Sequence, residues 1–222
     1  MSPEQLDTRL GPLNANERIA LAASVIPHSE LAVSSAFGPF SAAFLHLVTR
    51  QIPDIPVGFL DTGYHFTETL SFRDELASRL SLNLQIIRPS ISRAEFEKKA
   101  GDKPWDTDHE GCCKVNKVDP MDDWLKGFSA WLSGIRSNQT QNRAGLGFAV
   151  LNSRGQFKIH PILDWTSKQV WDYINEHQLP VHPLFYKGFT SLGCEPCTHV
   201  AGPGEDRSGR WKGLKQECGL HI

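Results

Sequence analysis

Apolar and polar positions recur along this chain with two periods, and the change from one to the other marks its elements. In "NERIALAASVI", Ile19, Ala22, Ala23 and Ile26 fall at i, i+3, i+4 and i+7, which predicts an amphipathic helix capped by Asn16. "ELAVSSAFGPFSAAFLHLV" reads as a short buried strand, a turn and a helix with Phe40, Ala43, Phe44 and Leu47 on one face and Pro39 in its first turn. "IPVGFLDTGYHF" predicts a second strand running into a loop. "TETLSFRDELASRL" predicts a helix with Phe72, Leu76 and Leu80 aligned, and "NLQIIRP" a third strand. Further on, "SAWLSGI" reads as a buried strand and "FAVLNSRGQFKIHPIL" as two strands about a turn at Ser153–Gly155. "TSKQVWDYINEH" is a helix capped by Thr166 with Gln169 in the capping-box position; Val170, Tyr173, Ile174 and His177 share a face. Strands alternating with helices predict an α/β fold, a mainly parallel sheet covered on both faces. From about Tyr186 periodicity gives way to glycines, prolines, charges and three cysteines. The expected division is therefore an α/β ligand-binding domain at 1–185 and a functional C-terminal segment at 186–222 with no second core.

Composition narrows the class. A chain of 222 residues, 40% hydrophobic with six Trp and twelve Phe, has material for one good-sized globular core. A net charge of -2 gives no broad basic field for nucleic acid or a membrane surface, although local basic clusters can still bind a small anion. No apolar run has the length of a membrane span, and "MSPEQLDTRLGP" lacks the regions of a signal peptide. The expected location is a reducing cytoplasm, where the five cysteines are not disulfide staples and read better as four plus one. No apolar stripe declares an oligomer interface, so a homo-oligomer stays open.

Three groups of residues carry candidate chemistry. In a parallel sheet, ligands bind beyond the carboxyl ends of the strands. At two such ends "SSAFGPF" offers hydroxyls and backbone N–H groups at a helix start, and "LDTGYHF" places Asp61, Thr62 and Gly63. The alternative for both is a plain connecting turn. Cys112 and Cys113 are adjacent, and Cys194 and Cys197 form a CxxC pair. Four thiolates suit zinc or an iron–sulfur cluster; the contiguous pair favours a cluster with separate corners over one tetrahedral ion, and zinc is the reserve. Lys117, Arg136, Arg207 and Arg210 would suit a phosphate or sulfate group if the fold gathers them. Cys218 stands four residues from the end of the chain, with His221 close enough in sequence to orient a substrate or keep the thiol ionised.

The whole set resembles the assimilatory adenylyl-sulfate and phosphoadenylyl-sulfate reductases. The resemblance runs through "SSAFG", "FLDTGYHFTET", "CCKVNKVDP", "AWLSGIRSNQTQNRA", "HPILDWT", "HPLFYKGFTSLGC" and "GRWKGLKQECGLH", nearly the full chain and in the family's order. It implies an adenine nucleotide alpha hydrolase-like fold. It also implies that the Cys218 thiolate attacks the sulfur of adenylyl sulfate, expels AMP and leaves an S-sulfocysteine, from which thioredoxin or glutaredoxin releases sulfite. By the same resemblance Cys112, Cys113, Cys194 and Cys197 hold a [4Fe–4S] cluster that serves structure and electrostatics rather than electron transfer. Ser34, Ser35, Phe37 and Gly38 match the phosphate loop, and Leu60, Asp61 and Thr62 the adenosine side. Lys117, lying between cluster and substrate, joins Arg136, Arg207, Arg210 and His221 around the phosphosulfate.

Three departures from the family pattern bear on the substrate. The loop "SSAFGPFSA" is closer to the branch that takes 3′-phosphoadenylyl sulfate. Asn116 stands where the cluster-bearing branch has arginine, and Ser137 where a second arginine is usual. The cysteine set outweighs them in favour of adenylyl sulfate, with the 3′-phosphorylated form as the alternative. Two other readings share parts of the pattern. ATP-pyrophosphatase-type tRNA sulfur transferases would need an SGGxDS-like loop and a basic RNA surface, which this chain lacks. A zinc-stabilised nucleotide-binding module would leave Cys218 incidental.

Overall fold

The computed structural model describes residues 1–202, 207–215 and 217–220, so His221 lies outside the described residues. Helix α1 (Pro3–Leu10) starts on a capping box between Ser2 and Gln5. Helix α2 (Ala15–Val25) is capped by Asn14, not by Asn16 as the periodicity predicts. The reason is the box itself: Glu17 falls three residues after Asn14, so each side chain bonds the other's backbone N–H, and Asn16 is already inside the helix.

Strand β1 (Leu31–Ser34), helix α3 (Ser41–Thr49), strand β2 (Pro56–Leu60), helix α4 (Thr67–Arg79) and strand β3 (Asn83–Ile87) follow in the alternation read from the sequence. Pro39 lies in the turn before α3 rather than in its first turn; Ser41 N–H bonds to Gly38 O at 3.1 Å across that turn. Between β3 and the next strand the chain forms α5 (Arg93–Ala100), α6 (Pro104–Thr107), α7 (His109–Cys113), a π-helical turn (Lys114–Val118) and α8 (Asp119–Leu125). Strand β4 (Ala130–Ser133), helix α9 (Gln141–Ala144), strands β5 (Ala149–Leu151) and β6 (Phe157–Ile159), and helix α10 (Ser167–Glu176) complete the regular elements. Thr166 caps α10 through the expected box with Gln169.

The six strands form one sheet in the order β3-β2-β1-β4-β6-β5, parallel throughout except for the β5–β6 pair. Its centre is dry: Leu31, Ala32, Val33, Val57, Phe59 and Leu132 are fully buried. Full burial on both faces is why these strands read as continuous apolar runs rather than alternating ones. One cation is built into the core. Arg18 donates to the carbonyls of Leu10 (3.1 Å) and Pro161 (3.0 Å), pairs with Asp164 at 2.7 Å, and lies 3.7 Å over the Phe148 ring. It ties α2 to the loop after β6.

The C-terminal segment differs from expectation in one respect. Its Cys194, Cys197 and Trp211 join Tyr64 and Cys113 in a small buried cluster of their own, so the segment contributes to a core as well as to a site. Trp211, 2% exposed, is the largest side chain this segment buries there.

Candidate active site

Chain order fixes where a ligand sits. From β1 the sheet grows outward through β2 and β3 on one side and through β4 on the other, so the loops after β1 and β4 diverge and leave a crevice. A cavity of about 260 Å³ opens there. Its floor is Ser34 and Ser35 from the end of β1 and Ser133 and Gly134 from the end of β4. Gly134 is required by a close approach: a Cβ on it would come within 2.6 Å of the Phe44 ring on α3.

The loop after β1 is shaped from inside. Ser35 N–H bonds to Gly58 O at 3.0 Å, and Phe37 N–H donates to Ser35 Oγ at 3.0 Å. Phe37 has φ +47°, and its side chain is fully buried, edge-on to Phe59 with 5.4 Å between ring centroids. It does not line the cavity, where the sequence reading placed it; an aromatic ring at that point gains more by joining the core below the loop. Ser34 Oγ accepts from Trp131 Nε1 at 2.8 Å. On the β2 side Leu60 and Thr62 form wall, whereas Asp61 turns away. Its carboxylate accepts from Gly63 N–H at 3.1 Å and pairs with Arg88 at 3.5 Å, a turn-forming role rather than a ligand-facing one.

The basic residues converge from three places in the sequence. Arg136, 3% exposed, follows β4, with a guanidinium nitrogen 3.1 Å from Ser167 Oγ. Arg207 reaches in from the C-terminal segment with a hydrogen bond to Ser191 Oγ at 3.2 Å; burial first, then neighbouring Arg143, lower its pKa to about 10. Arg210 is 3% exposed and packs over the Trp211 ring at 4.5 Å. Its guanidinium lies on the Cα of Gly193, where a Cβ would come within 2.2 Å of it. Its Nε is buried with no hydrogen-bond partner, a donor that an anionic ligand would satisfy. Lys117 is buried by the π-helical turn, which rotates it and Asn116 inward, and its Nζ lies 5.5 Å from the Trp211 ring centre. Burial works against the Lys117 charge, but the thiols of Cys194, Cys218 and Cys113 push its pKa up.

The same turn sets out the sulfur chemistry. Cys112, Cys113, Cys194 and Cys197 gather around a second, smaller cavity with Tyr64, Trp105 and Asn116. Burial raises the Cys112 thiol to about 12 and the Cys197 thiol to about 11. Asn116, at the position of the family's arginine, stays local and donates to Cys112 O at 3.0 Å. Among the described residues no group of three or more His, Cys, Asp and Glu is placed to hold a metal ion. Four soft sulfur donors with apolar walls, beside the buried cations Lys117 and Arg210, nevertheless have the donor chemistry of a thiolate-bound metal centre.

Cys218 lies in the wall of the larger cavity, half-buried and unbridged. The structure thus brings Ser34, Ser35, Gly38, Leu60, Thr62, Lys117, Arg136, Arg207, Arg210 and Cys218 around one space and leaves Phe37 and Asp61 outside it. It also adds residues that the sequence reading missed: His65, Arg143 and Glu217 in the cavity wall, and buried Lys158 beneath the tail. A lysine between apolar residues in a strand, as in "QFKIH", was the signal for the last. Arg143 and Glu217 carried none, because each is explained only by the other.

Comparison with known proteins agrees with this geometry. Residues 30–200 match the model of the phosphoadenosine phosphosulfate reductase domain. A protein of Xanthomonas campestris pv. campestris named phosphoadenosine 5′-phosphosulfate reductase is 43% identical over 225 residues, covering 98% of this chain and 92% of its own. One of the same name from Vibrio parahaemolyticus is 42% identical, over 98% and 85%. The crystal structure of phosphoadenylyl-sulfate reductase from Candida auris, a phosphate complex, superposes with a TM-score of 0.77 at 28% identity, covering 89% of this chain and 96% of that one. FMN adenylyltransferase from Candida glabrata, TM-score 0.65 at 17% identity, shares the fold.

Proposed function

This chain belongs to the phosphoadenosine phosphosulfate reductase family, and from that premise we propose that it reduces 3′-phosphoadenylyl sulfate to sulfite and adenosine 3′,5′-bisphosphate, with Cys218 as nucleophile. The observation that carries the reading is the single cavity at the switch point, in which a thiol faces Lys117, Arg136, Arg207 and Arg210. The Cys218 thiolate attacks the terminal sulfur; the bond from that sulfur to the bridging oxygen breaks, and the nucleotide leaves on its phosphate. The arginines and Lys117 hold the phosphosulfate in line and balance the charge that builds on the departing oxygen. A dithiol protein of the thioredoxin or glutaredoxin kind then attacks the Cys218 sulfur, releasing sulfite. Its second thiol frees Cys218, so the dithiol leaves as a disulfide, oxidised by the two electrons the substrate sulfur gained.

The names of the relatives, the "SSAFGPFSA" loop and Asn116 all favour the 3′-phosphorylated nucleotide over adenylyl sulfate, which the cysteines alone had favoured. Adenylyl sulfate stays as the second reading because the four cysteines do come together. Cys112, Cys113, Cys194 and Cys197 are the residues that would hold a [4Fe–4S] cluster. Such a cluster would supply negative charge near Lys117 and a covalent tie between α7 and the C-terminal segment. The test is sulfite release with thioredoxin by anaerobically purified protein on both nucleotides at low concentration, with iron and acid-labile sulfide measured on the same sample. A kcat/KM at least about tenfold higher for the 3′-phosphorylated form is expected. The reverse ratio restores adenylyl sulfate, and sulfite from neither removes the reading. Loss of iron and of the visible absorption in Cys194→Ser is the expected sign of the cluster; an unchanged spectrum in that variant overturns the ligand assignment.

A further inference from the structure

We propose that Arg143 and Lys158 are positioning residues for the nucleophile, docking the C-terminal tail through the Glu217 carboxylate and the Leu220 carbonyl so that Cys218 is held at the cavity. The inference rests on Cys218 being the nucleophile.

The contacts lie on both sides of the thiol. One residue before it, Glu217 Oε1 accepts from Arg143 Nε at 2.7 Å and from Thr140 Oγ1 at 3.0 Å, and Oε2 accepts from a second Arg143 nitrogen at 2.8 Å. This is a bidentate pair with both side chains buried, 5% and 2% exposed. Two residues after it, Lys158 Nζ donates to Leu220 O at 2.7 Å while lying 4.7 Å from the centre of the Trp131 ring. Between the anchors, Gly219 takes φ +94°, a turn that L residues rarely adopt, and the Leu220 side chain packs against Leu60, Met121 and Trp131. The tail is therefore gripped at two points three residues apart, the Glu217 carboxylate and the Leu220 backbone carbonyl, with Cys218 between them.

The anchors also have a common origin. Arg143 stands in α9, after β4, and Lys158 in β6, which pairs with β4. The arm of the sheet opposite β1 thus holds the nucleophile while the β1 loop lines the far side of the crevice. A buried guanidinium and a buried ammonium are costly to place without anionic or carbonyl partners. The tail supplies an oxygen partner to each, so undocking it would leave Lys158 without the Leu220 carbonyl and Arg143 with Gln139 but no carboxylate. Arg207, 3.7 Å from Glu217, adds a weaker third contact.

Two variants test the device on the full-length, anaerobically purified protein. Glu217→Ala and Lys158→Met each release one anchor and leave Cys218, Lys117, Arg136 and Arg210 in place; Glu217→Ala also removes the weak Arg207 contact, which Lys158→Met keeps. Four readouts are taken: kcat and KM for sulfite formation, sulfonucleotide affinity by calorimetry, thermal midpoint, and the rate at which iodoacetamide alkylates Cys218, followed by peptide mass spectrometry. The expected result is kcat lowered by about 100-fold, with nucleotide affinity within about threefold of the parent and Cys218 alkylated at least about tenfold faster. Unchanged kcat and unchanged alkylation in both variants overturn the proposal. A fall in kcat accompanied by an equal loss of nucleotide affinity also overturns it, since that marks a binding role. Absence of sulfite from the parent protein would sink the functional reading instead; the alkylation rates then still decide whether the tail is docked.

Discussion

Around β1 and β2 the buried positions are Leu31, Ala32, Val33, Val57 and Phe59, with no charge among them. From Tyr186 to Leu220 the buried positions include Arg210 and Glu217 beside Leu192, Cys194, Cys197 and Trp211. The first region is held by apolar area, which is non-directional and spread over many contacts. The second depends on a few directed contacts: Arg143 on Glu217, Lys158 on Leu220 O, Arg210 on Trp211. The difference follows from what each must do. A scaffold needs only to stay folded, whereas a segment with the proposed task of binding a multiply charged anion and presenting a thiol has to keep positive charge in a dry place. Held by hydrophobic contact alone, the segment would supply no field for an anion. The charges that dock the tail are the same kind of charge as those proposed to bind substrate.

The comparison can be broken at its functional end first. Cys218→Ser should lower sulfite formation by at least about 10³-fold, because the hydroxyl is a far weaker nucleophile. The sheet should not notice: an unchanged thermal midpoint and retained nucleotide binding are expected, and substantial residual turnover would show that another thiol attacks. Arg210→Ala should cost about 10²-fold in kcat/KM, the scale of one lost charge-stabilising donor. Calorimetry should place part of that loss in nucleotide affinity, since the unpartnered Arg210 Nε is then no longer there to meet the anion.

At the scaffold end the effect should be on stability alone. Arg18→Met removes the carbonyl bonds to Leu10 and Pro161, and it should lower unfolding free energy by about 2 kcal/mol. Asp164 is half exposed and can return to water, so no stranded buried charge adds to the loss. Denaturant midpoints measure this, while kcat at 25 °C should stay at the parent value.

The smallest effect belongs to the seam between the two regions. His182 Nδ1 accepts from Leu184 N–H at 3.1 Å, so its other nitrogen carries the proton and faces Thr69 Oγ1 at 3.1 Å. Burial lowers its pKa to about 4, with Glu68 a weaker opposing influence. The unfolded chain binds a proton near pH 6.5 that the folded chain refuses until about pH 4. Stability from this group is therefore complete above pH 6.5 and is lost as pH falls towards 4, by on the order of 1–2 kcal/mol at pH 5. In His182→Gln the slope of denaturant midpoint against pH should flatten in that window; an unaltered slope would assign acid sensitivity elsewhere.

Helix α10 and the β1–β3 elements were legible because periodicity and caps are local. Thr166 with Gln169, or Ile19 with Ile26, are read within one or two turns of chain. The helices between β3 and β4 were not legible. α5 has a single buried residue, Phe96, and too few apolar positions to show a period. Within the site, the cysteines and arginines were visible by identity. Phe37 and Asp61 sit in the expected loops but turn their side chains from the cavity, because a motif marks a loop, not the direction each side chain takes from it.

By itself the sequence determined the α/β order and the family, and it pointed to the two strand ends at the crevice and to the cysteines. Those are properties of short range or of residue identity. Only the tertiary structure decided that Glu217 meets Arg143, 74 residues away, and that Lys158 lies under the tail. A buried charge is stable only with its partner, and the distance between partners along the chain is set by strand order. No window of sequence contains both.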